Sequence, residues 1–194
     1  MDMNEMRQDT LRNNLKIQDA IKTLIVEIGE NPEREGLIRT PYRFAKACEE
    51  WFSGYKFGAD NVLNRTFAEK SDMIVEGGIR FYSFCEHHIS PFFGKVWIAY
   101  IPNQYVTGLD KMVKLVEIYA RRLQVQERLG EQIADGMMKE LKPKGVMVVI
   151  RAEHFCISSR ETRNPAITTT SVIRGCFTDL PVRMEALELM RNKE

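Results

Sequence analysis

Apolar positions along this chain recur with two different periods, and the changes of period divide it into elements. Ile17, Ile21, Leu24, Ile25 and Ile28 fall at helical spacing, and Gly29 with Pro32 beyond it supplies a stop. Thr40 as N-cap and Pro41 at the first helical position announce a second helix, with Phe44, Cys48, Trp51 and Phe52 on one face and Gly54 at its end. Met73 to Val75 and Ile79 to Phe84 read as strand, interrupted at Gly77-Gly78 by a bulge or turn. Val96 to Ile101 predicts a second strand, joined to the first by a loop over Glu86 to Gly94. From about Asp110 to Leu141 the spacing is helical again. Met112, Val113, Val116 and Ile118 mark one helix, and Val125, Leu129, Ile133 and Met137 the next, closed by Pro143 and Gly145. Val146 to Ile150 is continuously apolar, as expected of a strand covered on both faces, and it runs on into His154 and Cys156. Thr168 to Ile173 is a β-branched fourth strand with Cys176 packed at its end, and Pro181 to Arg191 is an amphipathic terminal helix.

Two strand pairs separated by a helical hairpin predict an α+β fold: an antiparallel four-stranded sheet with helices against one face, preceded by two N-terminal helices. A sheet of four strands leaves edges that repeated subunits could cover. The expected organisation is a flexible segment over residues 1–14, N-terminal helices over 15–56 and a catalytic region over 57–194, forming one domain overall.

Composition narrows the possible partners. A net charge of +1 gives no reason to expect nucleic acid or a membrane surface as partner, so any anion site must be local. There is no basic leader before an apolar run and no apolar stretch of membrane-spanning length, which predicts a cytoplasmic protein. Four cysteines without framework spacing fit a reducing compartment and metal or core roles. Cys48 lies on an apolar stripe and reads as core.

The chemistry is concentrated. All three histidines and two of the four cysteines lie in Cys85-Glu86-His87-His88 and His154-Phe155-Cys156. Cys85 and His88 have the gap that lets a turn at a strand end aim both at one metal ion. His154 and Cys156 are two apart, so on a strand both would point to one face. If Cys85, His88 and Cys156 bind a metal, His87 and His154 stand beside it without being ligands. Three ligands leave a position for water, as in catalytic sites, and two thiolates with one imidazole suit zinc.

The strings FYSFCEHHISPFFGKVWIAYIP, GLDKMVKLVEIYARRLQVQERL and HFCISSR resemble, in order, the three defining blocks of the GTP cyclohydrolase I family, and TPYRFAK resembles a fourth, N-terminal block. The resemblance runs from about Asn31 to the end. It implies the tunnelling fold, in which the sheets of small subunits join edge to edge in a large homo-oligomer, typically a decamer with sites shared between subunits. The implied reaction is zinc-dependent hydrolytic opening of the guanine imidazole ring of GTP, which releases C8 as formate and gives 7,8-dihydroneopterin triphosphate. The motif positions imply Cys85, His88 and Cys156 as Zn2+ ligands and His87 and His154 as acid/base residues. They also imply Gln126 and Glu127 at the guanine, and Lys111, Lys114 and Arg160 at the triphosphate. Arg43 and Lys46 would reach a neighbouring subunit's site.

Three departures from the family pattern bear on the phosphate contacts. Asp110 stands where Ser is usual, Lys114 where Arg is common, and Ser158-Ser159 with Glu161 replace small residues around Arg160. Asp110 as a helix N-cap could turn its carboxylate onto backbone N–H groups, or it could repel phosphate. A zinc nucleoside deaminase is excluded, because neither H-x-E nor P-C-x-x-C occurs. The alternative function is a non-catalytic, zinc-containing paralogue that binds a pterin or regulator.

Overall fold

Val146 to Ile150 does alternate between two cores, and this strand organises the larger part of the chain. The computed structural model describes residues 3–64, 66–69, 71–160 and 163–192, with side chains from residue 14 onward, so Glu161 lies outside the described residues. The chain divides into two compact units, Met1–Phe52 and Ser53–Glu194.

In the first unit, α1 (Met3–Glu27) starts ahead of the periodic pattern, and Gly29 beyond it takes φ 88, the left-handed conformation that ends helices. α2 (Thr40–Trp51) packs on α1, and Asn14 Nδ2 donates to Glu49 Oε1 at 2.7 Å. The N-cap of α2 is Arg39, not Thr40. Thr40 is already helical, the Arg39 side chain makes no capping hydrogen bond, and the proline stands in the first turn.

The second unit begins with a 3-10 turn (Ser53–Lys56) and the short α3 (Ala59–Val62). A two-stranded ribbon pairs β1 (Thr66–Ala68) with β4 (Tyr105–Thr107). The main elements are β2 (Ile74–Cys85), β3 (Ser90–Ile101), α4 (Leu109–Ala120), β5 (Leu123–Gln124), α5 (Gln126–Leu141), β6 (Gly145–His154), α6 (Phe155–Ser158), β7 (Ile167–Gly175) and α7 (Leu180–Arg191). The sheet order is β5-β2-β3-β6-β7, antiparallel except for the two-residue parallel pairing of β5 with β2. The four expected strands are therefore joined by a fifth, too short to show a period.

Three expectations change. The loop after Cys85 spans only Glu86 to Ile89, because β3 begins at Ser90 and pairs with β2 throughout. Pro91 is tolerated there because the ladder with β6 starts only at Phe92, leaving that side of Pro91 open. Second, the helices do not share one face. α4 and α5 cover Val96, Ile98, Val148 and Ile150, whereas α7 puts Ala186 and Met190 against Trp97, Ala99 and Met147 on the other. Third, Val113 is exposed and Leu115 takes its expected place in the core. The bulge is as expected, with the β2–β3 register shifting between Glu76 and Ile79 and Gly78 at φ 70.

Gly94 sits inside β3 because the strands crowd there: a Cβ would lie 1.9 Å from the carbonyl oxygen of Arg151. Gly94→Ala is expected to force β3 and β6 apart and to cost roughly 1–3 kcal/mol, as overpacking does. Denaturant unfolding measures this, and an unchanged midpoint would contradict it.

Candidate metal and catalytic site

The two histidine-bearing stretches meet because β3 pairs with both of the strands that carry them. Cys85 ends β2 opposite Ser90, and His154 ends β6 opposite Phe92, two residues further along β3. Cys156 is not on the strand. It lies in the single turn α6, which follows His154 directly and turns the thiol back over the end of the sheet.

One ligand atom each from Cys85, His88 and Cys156 lie within 4.8 Å of one another. Two sulfurs on a tetrahedral ion with metal–sulfur bonds of about 2.3 Å stand about 3.8 Å apart, so this spacing accepts a metal with little adjustment. The thiols also suit one. Burial first, then the adjacent Cys85, push the Cys156 thiol up from its ordinary value, with the Arg160 guanidinium opposing. A cation between two thiolates removes that mutual penalty.

The loop carrying His87 and His88 is held from outside. Glu86 accepts a bidentate ion pair from Arg128 of α5, and its backbone N–H donates to Gln124 O at 3.0 Å. The Arg128 hydrogen bond is the main reason the Glu86 carboxyl is pulled below its usual range. Closing the turn in four residues forces Ile89 to φ 48, a position that β-branched residues avoid. His87 Nδ1 lies 3.5 Å from Cys85 Sγ, so with the thiol ionised Nδ1–H donates to sulfur and Nε2 faces away.

His154 is held more tightly. Its ring stacks on buried Phe92, with centroids 4.8 Å apart and planes 4° from parallel. Its Nε2 lies 2.9 Å from Gln126 Oε1. Gln126 is 1% exposed, and its Nε2 donates to Ile150 O and Thr168 O, both at 3.2 Å, and to Thr170 Oγ1 at 3.0 Å. Two carbonyls can only accept, so the amide nitrogen must face them and the amide oxygen must face the ring. A neutral His154 therefore carries its hydrogen on Nε2 and keeps a lone pair on Nδ1. Burial lowers its pKa, partly opposed by the Glu127 carboxylate. Phe92 and Thr170 were missed in the sequence. A phenylalanine and a strand threonine carry no chemical signal until their partner is known.

The remaining candidates divide. Glu127 stands exposed in the first turn of α5, near enough to act on His154. Lys111 and Lys114 lie in the N-terminal half of α4. Ser83 Oγ, two residues before Cys85, donates to Ala120 O at 2.7 Å, so the C-terminal end of α4 lies at the site. Lys111 and Lys114 are then about 13 and 9 Å back along the helix. Asp110 is not the N-cap, which is Gly108. It holds Lys114 Nζ at 3.1 Å, and that contact is the main cause of its lowered pKa. Arg43 and Lys46 are exposed on α2, with Lys46 3.7 Å from Glu49.

Two antiparallel strand pairs with a helical pair between them define a tunnelling-fold unit, and this one gathers a Cys-His-Cys group that could hold a metal ion. Comparison with known proteins narrows the class. The family model described as GTP cyclohydrolase I matches residues 17–191, and the chain belongs to that family. A GTP cyclohydrolase 1 of Clostridium kluyveri is 48% identical over 181 residues, covering 92% of this chain and 98% of the relative. One of Campylobacter jejuni is 50% identical over 165 residues, covering 84% and 87%. Among solved structures, an archaeosine synthase QueF-like protein in the apo form superposes with a TM-score of 0.47 at 17% identity, over 55% of this chain and 97% of that one.

Proposed function

We propose that this protein is a zinc-dependent GTP cyclohydrolase I that opens the guanine imidazole ring of GTP, releases formate and yields 7,8-dihydroneopterin triphosphate. The observation that carries the reading is the group Cys85, His88 and Cys156, with two histidines beside it that are not needed as donors. Zinc bound there supplies Lewis acidity that makes water a usable nucleophile at neutral pH. The chain's own residues supply orientation and protons. His154, its Nε2–H given to Gln126, offers Nδ1 to take or return a proton as the C–N bonds break. His87 offers Nε2 in the same way. Gln126 is read as the residue that positions His154. Glu127, with its free carboxylate, accepts from the guanine N–H and exocyclic amine.

The triphosphate needs cations, and Arg160, close enough to oppose the rise in the Cys156 pKa, is a candidate within this chain's site. Lys111 and Lys114, at the far end of α4, fit better as contacts for an adjacent copy, and Arg43 and Lys46 as contacts for another. Two features support a homo-oligomer with shared sites, of which a decamer is the family's usual form. β7 and most of β2 leave one edge unpaired among the described residues, and Leu24, Ile28 and Ile38 stand exposed on the N-terminal unit. No helix among the described residues is long and apolar enough to cross a membrane. The cysteines are free thiols, which suits the cytoplasm.

Replacing Cys85, His88 or Cys156 is expected to remove zinc, whereas His87→Ala and His154→Ala keep it and lose roughly 10²–10⁴-fold in turnover. Metal analysis beside a GTP assay checks this; full zinc in Cys156→Ser, or zinc lost with either histidine, would overturn the division of roles. Asp110 holds a lysine assigned to phosphate, so Asp110→Ser is expected to lower KM for GTP, most at low ionic strength. A KM unchanged across a salt series would reduce Asp110 to an ordinary surface ion pair.

A further inference from the structure

Of the four residues from Cys85 to His88, only Glu86 has no part in the chemistry assigned above, yet both of its polar groups are anchored. Its backbone N–H donates to Gln124 O at 3.0 Å, and its carboxylate accepts both Nη groups of Arg128, Nη2 lying 3.1 Å from Oε1. Both anchors run back to α5. Arg128 is on that helix, and β5, which carries Gln124, is braced to it. The buried Gln124 side chain donates through Nε2 to Gln132 Oε1 at 2.7 Å and to Tyr119 O, near the end of α4, at 2.8 Å. Arg128 and Gln132 are four residues apart and so lie one above the other on one face of α5. Gln126, which holds His154, turns instead to β6 and β7. One helix therefore steadies the turn on one side and His154 on another. The turn needs such a brace. His87, His88 and Ile89 are all exposed, so none of the three is packed into place. Ile89 at φ 48 holds a conformation that persists only where the surroundings impose it.

We propose that Glu86 and Arg128 form a positioning pair for the metal site. The pair sets the path of the turn from Cys85 to His88, which raises affinity for the metal and aims His87, and it touches neither the metal nor GTP. The inference rests on the metal site assigned above. An exposed ion pair adds little to the stability of a whole fold, so the effect is local to the turn that it joins to α5. The bidentate geometry matters here, because two parallel N–H···O bonds fix an angle as well as a distance, and a lysine ammonium would supply only a point charge. Groups that orient the ligands of a metal commonly change its affinity by about 10- to 100-fold.

The test uses the metal-loaded full chain. A chromophoric chelator of known affinity competes for the zinc, the cobalt-substituted protein reports thiolate–metal absorption, and GTP turnover is measured at saturating zinc. In Arg128→Met and Glu86→Gln the zinc affinity is expected to fall on the order of tenfold and the cobalt absorption to shift. At saturating zinc kcat should fall with KM for GTP nearly unchanged, because the contacts to substrate are left in place. Arg128→Lys should fall between these variants and the parent. The double variant should be no worse than either single one, since the two residues act through one contact. Asp135→Asn removes the 2.8 Å ion pair of α5 with Arg174, away from the turn, and should leave zinc affinity and the cobalt spectrum as in the parent. Unchanged zinc affinity and cobalt spectrum in Arg128→Met would overturn the proposal, as would losses that add in the double variant. So would an equal loss in Asp135→Asn, which would mean general loosening of α5, or a KM raised by Arg128→Met alone, which would give Arg128 to the substrate. A parent that holds no zinc and shows no thiolate absorption with cobalt would overturn the metal site itself, and this inference with it.

Discussion

The register of β3 against its two neighbours is the constraint on which the rest of this structure depends. β3 alone touches both β2 and β6, and through it the ends of those strands, 69 residues apart at Cys85 and His154, come to one place. Side chains alternate between faces, so a slip of one residue between β3 and β6 would carry His154 to the opposite face and exchange it with charged residues. The close approach at Gly94 and the two cores on either side of β6 oppose that slip. The chemistry at the strand ends is therefore fixed by packing several residues away.

Rigidity is distributed unevenly around the site. His154 is held by a buried amide, itself anchored to two backbone carbonyls, and by a stacked phenylalanine. The loop bearing His87 and His88 is held by a surface ion pair, one backbone hydrogen bond to Gln124, the His87 contact with Cys85 and a short turn with Ile89 in a left-handed conformation. A metal joining Cys85, His88 and Cys156 would tie the looser element to the firmer one, so metal binding and loop order belong to one equilibrium. Lys111 and Lys114 stand in the N-terminal half of α4, which in the proposed assembly leaves their phosphate contacts to another copy of the chain and that of Arg160 to this one.

Much of this was legible in the sequence, and the parts that were not share a physical cause. C-x-x-H beside a second histidine is a rare combination of reactive residues, so the trio that the structure brings together could be singled out as candidate donors, and the long motif blocks pointed to the family. The four main strands and the helical hairpin follow from period alone. β5 and α6, of two and four residues, are too short for a period to repeat. Pro91 and Gly94 look like loop residues because local preference favours that reading. The tertiary reasons that admit them to a strand, an open ladder side and a close backbone approach, lie more than fifty residues away in sequence. Gln126 shows the same limit: its motif suggests substrate, while its neighbours in space engage its amide.

The central claim is that a metal held by Cys85, His88 and Cys156 serves ring opening at the guanine C8. The most direct test is to give the zinc-loaded protein GTP labelled with carbon-13 at C8 and follow the label by NMR. The account predicts one labelled formate for each GTP consumed, with the triphosphate retained on the pterin product. Release of inorganic phosphate with the label still in guanine, or GTP bound and left unchanged by the zinc-loaded protein, would contradict it.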